Sequence, residues 1–87
     1  MTYLKAVPGC KAEKRHGSNF VSRGRPDITG CLDGHRFELE VKVPPNKPTI
    51  TQQKELDAWE DAGATVAVVY SVEDTAKVIQ KISQYRD

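Results

Sequence analysis

Between residues 37 and 43 apolar and charged side chains alternate without a break: Phe37, Leu39, Val41 and Val43 are separated by Glu38, Glu40 and Lys42. A period of two marks a strand with unlike faces, so the pattern predicts a strand from about His35 to Val43. Just upstream, Asp33-Gly34 readily takes the positive backbone angles of a tight hairpin turn, which predicts an antiparallel partner from about Asp27 to Leu32. On this reading Glu40 and Lys42 share one face, while Leu39 and Val41 point the other way, into the core.

Helical spacing takes over after the proline-rich loop Pro44 to Pro48. Thr49 precedes Gln52 by the interval of a capping box, and Leu56, Trp59 and Gly63 continue the face of Gln52, predicting a helix from about Ile50 to Ala62. Gly63 ends it, Thr65 to Tyr70 reads as a buried strand, and Ser71 with Asp74 caps a last helix carrying Val78, Ile79 and Ile82. At the other end, Thr2 to Val7 reads as the end of a helix stopped by Pro8 and Gly9, followed by a strand from Cys10 to Arg15. The order is helix, three strands, helix, strand, helix. It predicts an α/β fold with a mixed sheet flanked by helices.

Neither an internal repeat nor a long linker interrupts the pattern, so residues 1–87 are read as a single domain, with one hydrophobic core at 38% hydrophobic content. Self-association is expected of so small a core. No stretch approaches the roughly 20 apolar residues of a membrane span, and the first residues lack the apolar run of a signal peptide, which points to a cytoplasmic protein. Cys10 and Cys31 have neither CxxC nor zinc-finger spacing and are read as reduced packing residues.

The net charge of +1 conceals an asymmetry. From Lys5 to Arg25 there are six basic residues and His16 against one acid, Glu13, whereas Glu55 to Asp61 is acidic. A basic face for an anionic polymer is one reading of this and a solvated mixed surface the other.

Asp27 and Glu40 are carboxylates on neighbouring strands of a hairpin and can meet across the ladder to hold a hard cation. Mg²⁺ prefers oxygen ligands and keeps several waters, so two carboxylates and a backbone carbonyl, here that of Val41, form a suitable protein contribution. Lys42 on the face of Glu40 can orient an attacking water and offset charge developing on a phosphate. The plainer reading makes Glu40 and Lys42 members of an ordinary amphipathic strand and Asp27 a turn residue after Pro26. Lys14, Arg15, His16, Ser18, Arg23 and Arg25 offer cations, a hydroxyl and an imidazole for phosphates flanking the scissile one, with His16 equally readable as a surface residue.

The combination of Gly24-Arg25-Pro26-Asp27, a hairpin, Glu40-Val41-Lys42 and a capped helix from Thr49-Ile-Thr-Gln52 resembles the virus-type replication-repair nuclease domain, VRR-NUC, of the PD-(D/E)XK nuclease superfamily. The likeness runs through KRHGSNFVSRGRPDITG, FELEVK, KPTITQ and AGATVAVVYSVED, most of the chain. It implies a restriction-endonuclease-like core and places Asp27, Glu40 and Lys42 at the metal-binding and catalytic positions. It also places Gln52 at the glutamine that opens the second core helix and contributes to the active site, although a capping box with Thr49 accounts for that residue too. One departure stands out: family members tend to carry a glutamate on the first helix, and the residues before Pro8 contain no acid.

The resemblance implies a Mg²⁺- or Mn²⁺-dependent DNA endonuclease, acting as a homodimer on branched DNA such as a four-way junction, with a phage or prophage origin. The alternatives are a nuclease of ordinary duplex, a DNA-binding module of the same fold without turnover, and a protein-interaction domain.

Overall fold

The computed structural model describes residues 1–15 and 24–84. Within them the chain forms α1 (Thr2–Lys5), β1 (Cys10–Lys14), β2 (Ile28–Leu32), β3 (His35–Val41), α2 (Ile50–Asp61), β4 (Thr65–Val69) and α3 (Val72–Ser83). The order is the expected one, with ends drawn in by a residue or two.

The strands make one sheet in the order β1-β2-β3-β4, antiparallel between β1 and β2 and between β2 and β3, parallel between β3 and β4. Asp33 at φ 48° and Gly34 at φ 88° form the β2–β3 turn, using the left-handed angles that this dipeptide accepts. A parallel pair needs a crossover, and α2 supplies it between β3 and β4. The Thr49 hydroxyl accepts from the Gln52 amide at 3.1 Å and Gln52 Oε1 accepts from the Thr49 amide at 2.9 Å, completing the expected capping box. Ser71 caps α3 in the same way through the Asp74 amide, 3.1 Å away.

Two odd-numbered side chains of β3 form the centre of the apolar layer. Phe37 and Leu39 are fully buried with Ile28, Leu32 and Val69 from the sheet, Leu4 from α1, and Ile79 and Ile82 from α3. Gly30 is the cross-strand partner of Phe37, and the ring occupies the space where a Cβ would stand. This sets α1 and α3 on one face of the sheet, while α2 covers the other with Leu56 and Trp59.

Two expectations are corrected. Val41 does not enter the core: it is 46% exposed and borders an open cavity with Met1 and Lys14, because the apolar layer stops at Leu39. The strand from Thr65 is also less buried than expected. Only Val69 is fully covered, since β4 is an edge strand.

Candidate active site

The register arranges the face under α2 in rows. Lys11, Cys31 and Arg36 lie opposite one another, then Glu13, Thr29 and Glu38. One step further Arg15 donates its amide to the Asp27 carbonyl at 2.7 Å, and Asp27 comes opposite Glu40, continuing the Ile28–Leu39 pairing. Because partners directly across a ladder share a face, Asp27 and Glu40 meet as the hairpin predicted.

Glu40 is 2% exposed, and Lys42 Nζ lies 3.6 Å from its Oε2. The other oxygen, Oε1, is buried without a hydrogen-bond partner among the described residues. Burial pushes the Glu40 carboxyl above the ordinary glutamate value, the Asp27 charge pushes it further, and Lys42 pulls it partly back. Asp27 is half-buried, and its Oδ2 accepts from the Val41 amide at 2.9 Å, which ties this carboxylate to the strand that carries Glu40 and runs into Lys42. Asp27 also borders the cavity of about 370 Å³ that Lys14, Ile28, Met1 and Val41 line.

This donor set fits a hard divalent cation. Two carboxylates converge, and one buried oxygen has no hydrogen-bond partner among the described residues, which is costly unless a cation or water satisfies it. Among the described residues no group of three His, Cys, Asp or Glu side chains gathers, so the carboxylate contribution is this pair.

The remaining candidates divide. Lys14 and Arg25 are exposed, as phosphate contacts would be. Arg15, expected to face phosphates, turns inward: its side chain is 13% exposed, and Nη1 lies 2.6 Å from Glu38 Oε1. Gln52 spends Oε1 on the capping box. His16, Ser18 and Arg23 lie outside the described residues.

A second polar cluster escaped sequence reasoning. Glu38, fully buried, takes Arg15 on one oxygen; the other accepts from Arg36 Nε at 3.0 Å and from the Thr29 hydroxyl at 2.5 Å. Both guanidiniums lie over the Trp59 ring, at 5.4 Å for Arg15 and 4.6 Å for Arg36. The available signal was the parity of FELEVK, which sets Glu38 on the face of Glu40; that α2 and Trp59 cover this face comes from the packing.

No protein-family model matches the chain, and no curated protein does. A solved structure named VRR_NUC domain protein superposes with a TM-score of 0.72 over 87% of this chain and 69% of that one, at 19% sequence identity. Agreement in shape at that level, with a mixed four-stranded sheet between helices, establishes the architecture. The chain has the fold of a VRR-NUC domain, a mixed four-stranded sheet flanked by helices.

Proposed function

We propose that this protein is a divalent-metal-dependent DNA endonuclease that hydrolyses phosphodiester bonds. The observation that carries the reading is the buried Glu40 carboxylate beside Asp27, whose Oε1 has no hydrogen-bond partner among the described residues, with Lys42 at 3.6 Å from its Oε2. Asp27, Glu40 and the Val41 carbonyl would hold Mg²⁺ or Mn²⁺, which supplies Lewis-acid activation of water and phosphate.

The chain's own groups do the rest. Lys42, held against Glu40 and 18% exposed, keeps its ammonium at the mouth of the site, where it hydrogen-bonds the attacking water and offsets charge on the phosphate. Asp27 is fixed by the Val41 amide, so the two carboxylates keep their separation without substrate. Lys14, on the cavity that Asp27 borders, and exposed Arg25 steer the backbone of the nucleic acid through charge. Gln52, with Oε1 in the cap, presents its amide nitrogen at the start of α2 as a further donor toward the substrate. His16, Ser18 and Arg23, from the same basic stretch of the sequence, are further candidates for such contacts.

Contacts of this kind read backbone shape rather than bases, which favours branched DNA such as a four-way junction. A homodimer with two such sites would cut symmetric strands. A second reading, a DNA-binding module of weak or absent turnover, is favoured by one observation: α1 contributes no acid to the site.

The test is cleavage of a labelled four-way junction in Mg²⁺ and in Mn²⁺, beside linear duplex of the same arms, by wild type, Lys42→Ala and Asp27→Ala at matched DNA binding. Metal-dependent cutting of the junction, lost in both variants, is expected. Binding without cutting by the wild type would overturn the nuclease in favour of the module, and equal cutting of duplex would overturn the branched substrate.

A further inference from the structure

The Glu38 cluster lies one row from the proposed metal carboxylates, and it holds the backbone that carries one of them. Arg15 Nη1, 2.6 Å from Glu38 Oε1, donates to the Pro26 carbonyl at 2.9 Å, and the Arg15 amide donates to the Asp27 carbonyl at 2.7 Å. Pro26 itself is buried, and Gly24, two residues earlier, sits so close to Thr51 of α2 that a Cβ would lie 3.0 Å from the Thr51 carbonyl oxygen. The turn leading into Asp27 is therefore gripped by one arginine whose orientation is set by a buried carboxylate and an indole.

A buried ion pair is a poor source of stability, because desolvation consumes most of the attraction. Retaining four polar side chains, Arg15, Thr29, Arg36 and Glu38, under α2 in place of apolar packing calls for another role. We propose that Arg15 and Glu38 are positioning residues for the active site: Glu38 aims the Arg15 guanidinium at the Pro26 carbonyl, and that contact sets the place of Asp27 relative to Glu40. This rests on the reading of Asp27 and Glu40 as the metal carboxylates. Arg36 shares Glu38 and Trp59 but is half exposed and directs its hydrogen bonds to Glu38 and Thr29, so it stabilises the cluster without aiming the site.

The experiment compares Arg15→Lys, the paired variant Arg15→Gln with Glu38→Gln, and Arg36→Gln. Mn²⁺ binding is titrated calorimetrically, and kcat and KM are measured on the four-way junction. Removing a group that orients a ligand typically costs about 10- to 100-fold in metal affinity or activity. Arg15→Lys and the paired variant are expected to lose at least about 10-fold in Mn²⁺ affinity and in kcat with KM for DNA unchanged, while Arg36→Gln stays within about twofold of wild type. Loss of one buried partner destabilises, so the paired variant, which removes both charges together, keeps the measurement possible if Arg15→Lys does not fold. Wild-type Mn²⁺ affinity and kcat in a folded Arg15 variant would overturn the proposal, as would an equal loss in Arg36→Gln. Absence of Mn²⁺ binding in the wild type would instead overturn the metal site on which it rests.

Discussion

Asp27 Oδ2 accepts the backbone amide of Val41 at 2.9 Å, so a carboxylate at the head of one strand closes the hydrogen bonding of the next strand where its ladder ends. The residue is thus both part of the site and part of the sheet. Asp27→Ala is expected to lower stability by about 1.5–3 kcal/mol, the range for a hydrogen bond to a charged group. Asp27→Asn keeps an acceptor oxygen and should lose about half as much, while metal binding falls in both. Urea unfolding at equilibrium, beside a Mn²⁺ titration, reads the two effects separately.

Glu40 gives the protein a pH dependence of definite sign. Its folded value is raised by burial and by Asp27, so between the ordinary value and the raised one the folded state holds more proton than the unfolded chain. Stability therefore falls as pH rises from the ordinary glutamate value to the raised one, and is level above it. In metal-free buffer Glu40→Gln is expected to be more stable than wild type at neutral pH and to lack that slope. Thermal unfolding across pH 4 to 8 tests this, and added Mg²⁺ should raise the midpoint of the wild type and not of the variant.

The capping box makes a prediction about Gln52. Thr49→Ala removes the acceptor for the Gln52 amide and should cost about 1 kcal/mol. Gln52→Ala removes the reciprocal bond and should cost no more in stability. A fall in kcat confined to Gln52→Ala would show that its amide also meets the substrate, whereas equal activity in the two variants would leave it a cap alone.

Gly24 combines a positive φ of 80° with close approach to the first turn of α2. A methyl group there meets the Thr51 side chain and carbonyl, so Gly24→Ala should destabilise by about 1–3 kcal/mol through strain. The variant should also weaken Mn²⁺ binding, because the displaced turn leads to Asp27. Calorimetric unfolding and metal titration on the same sample check both.

The element order, the hairpin, both helix caps and the meeting of Asp27 with Glu40 were all legible, because each depends on short-range periodicity or on turn chemistry that a few residues determine. What escaped was the depth of the polar face. Alternation says that Glu38 and Glu40 share a side, but not that α2 and Trp59 cover it, because burial depends on packing between distant segments. The same limit misplaced Arg15. A basic residue in a basic stretch reads as a phosphate contact, and only the third dimension brings Glu38 within 2.6 Å. Val41 was misread for the converse reason, since a strand's apolar face can outrun the layer that covers it.

The strict alternation of β3 has a consequence for the fidelity of folding. A slip of one residue in its pairing would exchange Phe37 and Leu39 for Glu38 and Glu40, driving two carboxylates into the apolar layer and stranding two large side chains among arginines. Such an exchange is strongly disfavoured. Folding and the correct setting of the two carboxylates are therefore coupled, and an error in register is disfavoured during assembly rather than kept in a compact chain.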